Sequence, residues 1–273
     1  MGRSVATTKV SLLIADVDGT LVTPDKLLTE AAKSAVQEIG RRGIVFAITS
    51  SRPPRGMSMF VEPLKLQTPL AGYNGGVFAK PDLSVLEQHV LPSATAAEAV
   101  KLFRSRGLDV WLFSGNDWLV EDPHGAHIAH ETSTVRFAPE VVTDFGGYFD
   151  TAAKIVGVSN DFALVARCET EARERFSGRA SVSRSQPYYL DVTAMDANKG
   201  AVVDFLSRYS GVPREEIATI GDSQNDVPMF RRSGLSIAMG NASDEVKAEA
   251  DLITESNDAD GFAKAMERFV LIR

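Results

Sequence analysis

Asp16 and Asp18 stand one residue apart where the apolar run Val10-Ser11-Leu12-Leu13-Ile14-Ala15 ends and Gly19-Thr20-Leu21 begins. A parallel strand buried on both faces reads as such a run, and ligands of open α/β sheets bind just beyond the carboxyl ends of these strands. In extended backbone, residues i and i+2 point the same way, so both carboxylates could face one pocket while Gly19 lets the chain turn tightly beside them. Two close carboxylates repel unless a cation or a shared proton relieves them. Mg²⁺ suits the task, because it takes one or two carboxylates, keeps several waters and accepts phosphate oxygens from a substrate. The chemistry suggested is metal-assisted phosphoryl transfer. The bland alternative is an Asp-x-Asp-Gly surface turn, and other strand ends decide against it.

The apolar run Ile44-Val45-Phe46-Ala47-Ile48 leads into Thr49-Ser50-Ser51-Arg52-Pro53, a hydroxyl-rich loop at a second strand end. Lys199, in Asn198-Lys199-Gly200, opens an amphipathic run with Val202, Val203, Phe205 and Leu206. It therefore lies at a helix start, where a cation opposes the helix dipole and an anionic partner is expected. Ile217-Ala218-Thr219-Ile220 runs into Gly221-Asp222-Ser223-Gln224-Asn225-Asp226, again a strand delivering carboxylates to its carboxyl end.

Taken in order, these four segments resemble the motifs of the haloacid dehalogenase superfamily of phosphohydrolases, and four motifs across about 210 residues are far more specific than any one alone. The resemblance implies Asp16 as nucleophile, forming an aspartyl-phosphate. It implies Asp18 as the acid and base that protonates the leaving group and then activates water, with a pKa raised for that role and its backbone carbonyl given to the metal. Matching Arg52-Pro53 to the family pattern puts the phosphate-holding hydroxyl at Ser50, with Thr49 the alternative. Ser51, Arg52, Gly19, Lys199 and Asn225 join Ser50 around the phosphate, and Lys199 neutralises nucleophile and substrate. The metal ligands implied are Asp16, Asp18 and Asp222, supported by Asn225 and Asp226, and the cofactor is Mg²⁺. Transport ATPases of the superfamily carry threonine in place of Asp18, so Asp18 favours a phosphatase or a phosphomutase. A phosphomutase on sugar phosphates and a non-catalytic phosphometabolite sensor are the rival readings. Dehalogenation does not need Asp18.

The 273 residues, 44% hydrophobic and 24% charged, suffice for a large core and two domains. A net charge of −7 without a Lys/Arg-dense stripe argues against nucleic acid as a partner. One cysteine, Cys168, suits a reducing compartment. No apolar segment reads as a signal peptide or a membrane span, and a cytoplasmic location is expected. The sequence leaves the oligomeric state open.

The first two motifs precede residue 55 and the last two follow residue 195, so something substantial is inserted between them. The expected fold is α/β, a doubly wound Rossmann-like parallel-sheet core (1–82 and 191–273) with an inserted α+β cap domain (83–190). Core elements are expected as a helix over 29–41, a helix over 199–209, a strand at 217–220, a helix near 226–232, a strand at 235–238, a helix at 243–249, a strand at 251–253 and a helix at 260–270. The cap is expected as helices 93–106 and 168–177 with strands near 108–114, 117–121, 154–159, 180–184 and 187–192, an order that suggests an antiparallel sheet. Such a cap resembles that of the Cof-like branch (subfamily IIB), as does the loop Tyr73-Asn74-Gly75-Gly76. A large cap excludes water and admits small phosphorylated metabolites, sugar phosphates being common in the branch. Arg136, Arg184 and Tyr188 are cap residues that could touch a substrate, though solvated surface is the ordinary fate of such residues. His124, His127 and His130 invite a zinc reading, but i, i+3 and i+6 do not share a helix face, and a cap loop is the better expectation. Cys168 reads as structural.

Overall fold

The computed structural model describes residues 9–271, which fall into two compact units. One comprises the chain up to Ser50, Met59–Gly75 and the chain from Asn198 onward; the other comprises Ser51–Ser58 and Gly76–Ala197.

The first unit is built on parallel strands in the spatial order Leu252–Ile253, Leu235–Ala238, Ile217–Gly221, Leu12–Asp16, Val45–Thr49, Leu70–Gly72. Leu12–Asp16 is buried along its whole length, as a continuous apolar run demands. The chain moves outward in one direction from this strand through Val45–Thr49, and in the other from Ile217–Gly221, so the topological switch point lies between the first strand and Ile217–Gly221. The helix Glu30–Arg41 joins the first two strands. Thr29 caps it by accepting from Ala32 N at 3.1 Å, Glu30 and Arg41 complement its dipole, and Ala32, Ala35, Val36 and Ile39 form its buried stripe. Asn198 caps Lys199–Ser210 in the same way, its Oδ1 accepting from Ala201 N at 3.1 Å.

The second unit carries a sheet in the order Ser181–Gln186, Tyr189–Thr193, Ala152–Val158, Asp109–Ser114, Asp117–Val120, Glu140–Val141. It is antiparallel except where Leu119 and Val120 pair with Glu140 and Val141. The helices Ser93–Ser105 and Phe162–Arg175 cover one face, where Phe103, Val165 and Phe176 pack on Val110, Leu112, Leu119, Ile155, Leu190 and Val192 in one apolar cluster. This unit also holds the hairpin of Val77–Ala79 and Val85–Gln88. The expected α/β class with a parallel sheet is borne out. No helix among the described residues is long and apolar enough to cross a membrane.

Several elements differ from expectation. Phe162–Arg175 begins six residues before the expected 168, because Asp161 Oδ1 accepts from Leu164 N at 2.9 Å and starts the helix there. The region expected to be a loop at His124–His130 runs into a helix, Ile128–Val135, bounded by left-handed residues His127 and Arg136. The helix expected over 260–270 ends in a π turn, Met266–Val270. Cys168 is buried within the apolar cluster, where burial pushes its thiol up.

Candidate active site

Asp16 is the last residue of its strand and is almost completely buried. Its Oδ1 accepts from Lys199 Nζ at 2.5 Å, and the same ammonium donates to Asp226 Oδ1 at 2.5 Å. Lys199 and Asp226 are buried too, Lys199 as the first residue of its helix and Asp226 in the 3₁₀ turn that follows Ile217–Gly221. The other oxygen of Asp226 accepts from the backbone amides of Asp222 (2.9 Å) and Ser223 (2.8 Å), which pins the loop carrying Asp222. Asn241 Nδ2 donates to Gly19 O at 2.9 Å and reaches Asp222 Oδ2 at 3.3 Å. Thr20 Oγ1 lies 3.5 Å from Asp222 Oδ1. Two glycines make this approach sterically feasible. Gly19 has φ +85°, and a Cβ on it would collide with the Asp222 carboxylate; a Cβ on Gly221 would collide with that of Asp226.

Carboxylate oxygens of Asp16, Asp222 and Asp226 all lie within 4.8 Å of one another. Burial raises Asp16 well above the usual carboxylate range; the Lys199 charge opposes this, while Asp226 and Asp222 add to it. Asp222 is pushed up to about 6, first by burial and then by Asp226. For Lys199, burial works to lower the pKa but is overcome by Asp16 and Asp226, so the net direction is up. Asp16 Oδ2 is buried without a hydrogen-bond partner. One ammonium against three carboxylates, with an orphaned oxygen at a buried strand end, is a donor set that fits a hard divalent cation.

Asp18 follows a different course. Its Oδ1 pairs with Lys26 Nζ at 2.8 Å, and Lys26 itself holds a left-handed φ of 62°. Thr49 turns its hydroxyl to Ala71 O at 3.2 Å, within the sheet, whereas Ser50 leaves the strand with its carbonyl accepting from Asn74 N at 2.8 Å. Asn225 Nδ2 donates to Asn74 Oδ1 at 3.1 Å, and Asn225 Oδ1 is buried without a partner. Asp16, Asp18, Gly19, Ser50, Lys199, Asp222, Asn225 and Asp226 thus all belong to the first unit. Ser51 and Arg52 fall in the second, where Arg52 Nη1 donates to Thr134 O at 2.9 Å.

Comparison with known proteins adds a decisive observation. The profile of the haloacid dehalogenase-like hydrolases matches residues 13–266. The chain belongs to this family. A curated relative, the 5-amino-6-(5-phospho-D-ribitylamino)uracil phosphatase YcsE of Bacillus subtilis, is 27% identical over 263 residues, 96% of each chain. The solved structure of a haloacid dehalogenase-like hydrolase from Bacteroides thetaiotaomicron superposes with a TM-score of 0.85 at 29% identity, covering 95% of this chain and 99% of that one. A HAD subclass IIB sugar phosphatase matches in fold with a TM-score of 0.83 at 22% identity, over 95% of this chain and 99% of its own. The resemblance to the superfamily and its Cof-like branch is borne out, and so is a hydrolase.

In this haloacid dehalogenase-like hydrolase, sequence reasoning missed Asn241, Thr20 and Lys26. Asn241 had a usable signal, because Gly240-Asn241 follows the strand Leu235–Ala238 as the other chemistry-bearing loops follow theirs. Thr20 stood inside the first motif. Lys26 had no signal beyond its charge. In the second unit His127 stacks on Tyr188 (ring centroids 4.0 Å apart) and His130 Nε2 lies 3.4 Å from Tyr188 Oη, so these histidines serve ring packing, and no group of metal-ligating side chains includes them among the described residues. Arg184 is exposed and paired with Glu169 at 2.6 Å, and Arg136 is exposed.

Proposed function

We propose that the protein is a Mg²⁺-dependent phosphatase that hydrolyses small phosphorylated metabolites, among them sugar phosphates, through an aspartyl-phosphate on Asp16. The observation that carries this reading is the orphaned Oδ2 of Asp16, aimed away from the Lys199 contact at the carboxyl end of the central strand. Asp16, Asp222 and the backbone carbonyl of Asp18 would hold the cation, which when bound screens the repulsion between a carboxylate nucleophile and a phosphate dianion.

Asp16 Oδ2 then attacks phosphorus in line with the leaving oxygen, while its Oδ1 stays on Lys199. Lys199 neutralises the charge gathered around the reacting group, and Asp226 keeps the ammonium in place through its second contact. The Ser50 hydroxyl and Asn225 would hold phosphoryl oxygens. Asp18 gives a proton to the departing alkoxide and afterwards removes one from the water that cleaves the aspartyl-phosphate, so its pairing with Lys26 must open for each transfer. A cytoplasmic setting is part of the proposal and rests on the single cysteine.

The test is phosphate release from p-nitrophenyl phosphate and a panel of sugar, nucleotide and cofactor phosphates, with Mg²⁺ and with EDTA. Release that requires Mg²⁺ is expected. Silence of the folded protein across the panel would overturn the assignment.

A further inference from the structure

The loop that carries Asp18 is held by side chains from two other loops of the first unit. Within it, the amides of Thr20, Leu21 and Val22 all turn inward to Val17 O, at 3.4, 3.0 and 3.1 Å, and Asp18 bridges to Val22. Two of its carbonyls meet side-chain amides. Gly19 O accepts from Asn241 Nδ2 at 2.9 Å, and Val22 O accepts from Asn257 Nδ2 at 2.8 Å. The two asparagines are joined to each other, because Asn241 Oδ1 accepts from the backbone amide of Asn257 at 3.1 Å. The Asn241 Nδ2 that holds Gly19 also reaches Asp222 Oδ2 at 3.3 Å, while Thr20 Oγ1 lies 3.5 Å from the other oxygen of that carboxylate. All of these residues belong to the first unit.

The partners dictate how both side-chain amides face. A backbone N–H can only donate and a backbone C=O can only accept. Asn241 must therefore present Oδ1 to Asn257 N and Nδ2 to Gly19 O, and Asn257 must present Nδ2 to Val22 O. The contact between their loops is built in: a Cβ on Gly240 would lie 2.6 Å from Ser256 N, so a side chain there would push the two loops apart. The second of these loops is closed on itself by Thr254 Oγ1, which donates to Gly261 O at 2.8 Å, and Asn257 is buried within it. Asn241 is exposed. A hydrogen bond that water can replace adds little net stability, so what the three contacts of Asn241 supply is orientation, and one of the groups they orient is a carboxylate of the acidic cluster.

We propose that Asn241 and Asn257 are positioning residues for the cation site and for the loop that carries Asp18. Asn241 fixes the rotation of the Asp222 carboxylate, the outer contact that a metal-binding carboxylate needs. Asn257 fixes the far end of the loop at Val22, and with it the bridge between Asp18 and Val22, and its backbone holds Asn241 in place. The proposal rests on the phosphatase reading and deepens it: two loops that give no carboxylate to the cluster set how tightly the cluster binds metal and how firmly Asp18 is carried.

The two side chains make separable contacts, and the experiment uses this. Wild type, Asn241→Ala and Asn257→Ala, each as the full-length protein, are treated with EDTA and titrated with Mg²⁺ by calorimetry. Phosphate release from p-nitrophenyl phosphate is followed against Mg²⁺ concentration, and amide exchange is measured in EDTA. Asn241→Ala is expected to raise the Kd for Mg²⁺ by about tenfold to a hundredfold, with a melting temperature in EDTA near that of the wild type, and excess Mg²⁺ is expected to restore most of the lost turnover. Asn257→Ala keeps the backbone donor to Asn241 and loses the Val22 contact. It is expected to lower kcat by about tenfold to a hundredfold even at saturating Mg²⁺, to raise the Kd for Mg²⁺ less than Asn241→Ala does, and to speed exchange of the Thr20, Leu21 and Val22 amides in EDTA. Should Asn257→Ala not fold, Asn257→Ser replaces it, with the same expected direction in each reading. An unchanged Kd for Mg²⁺ in Asn241→Ala would overturn the proposal, as would wild-type turnover and loop exchange in the Asn257 variant. A lowered melting temperature in EDTA with equal loss of turnover at every Mg²⁺ concentration would make both asparagines loop staples and overturn it too. A wild type that binds no Mg²⁺ would remove the cation site and this proposal together. A wild type that binds Mg²⁺, loses that affinity on Asn241→Ala and releases no phosphate would uphold the positioning role and sink the phosphatase reading instead.

Discussion

Lys199 holds one oxygen of Asp16 and leaves the other for chemistry, and three consequences follow at this scale. Asp16→Asn keeps the shape and the Lys199 contact but removes the proposed nucleophile, so kcat is expected to fall on the order of 10⁴-fold or more while the circular dichroism spectrum and melting temperature stay near those of the wild type; ordinary turnover by the purified variant would sink the assignment. Asp222→Asn removes a carboxylate from the cluster, whereas the proposed cation site takes only the carbonyl of Asp18, so isothermal titration is expected to show a larger loss of Mg²⁺ affinity for Asp222→Asn than for Asp18→Asn. Equal losses would assign the Asp18 side chain to the metal. The third consequence concerns pH. The folded pKa of Asp222, about 6, lies above its unfolded value of 3.8. Without metal, its contribution to stability is therefore complete below 3.8 and is lost as the pH rises through about 6. Mg²⁺ needs the deprotonated form, so its affinity should rise from pH 5.5 to pH 7.5, and with it the gain in melting temperature on adding Mg²⁺. A gain that is larger at pH 5.5 would contradict the proposed cation site.

Helix starts are where individual side chains decide whether an element forms, and Asp161 offers a test apart from the active site. Asp161→Ala frees the Leu164 amide at the start of Phe162–Arg175 and is expected to cost about 1 kcal/mol, seen as a lower denaturant midpoint with turnover of p-nitrophenyl phosphate unchanged. That same cap explains a limit of the sequence. The apolar periodicity of this helix is weak, with Val165, Cys168 and Ala172 as its buried residues, and exposed Phe162 obscures the stripe, so periodicity alone misplaced the start. Ile128–Val135 was hidden for a related reason, because it is short, opens at a left-handed histidine and carries no side-chain cap. By contrast Leu12–Asp16, Val45–Thr49 and Ile217–Gly221 were legible as strands because each is buried on both faces and ends at a polar loop. The clustering of Asp16, Lys199, Asp222 and Asp226 was legible through those strand ends. The Lys26 pairing of Asp18 and the Asn241 bridge were not, since both depend on loop conformations that no local pattern encodes.

The chain builds its acidic cluster wholly from the first unit, although the residues that form it are up to 210 positions apart, between Asp16 and Asp226. Metal binding should therefore leave its footprint on amide exchange in the first unit. Adding Mg²⁺ to EDTA-treated protein stabilises the native state by mass action, about 2.7 kcal/mol at a hundredfold excess over Kd, but exchange through local opening responds only where contacts change. Slowed exchange from Mg²⁺ is expected after Leu12–Asp16, around Lys199, and across Gly221–Asp226, where the Asp222 and Ser223 amides already donate to Asp226. If Mg²⁺ instead protects Tyr189–Thr193 as strongly as Gly221–Asp226, the assignment of the cation to Asp16 and Asp222 is wrong.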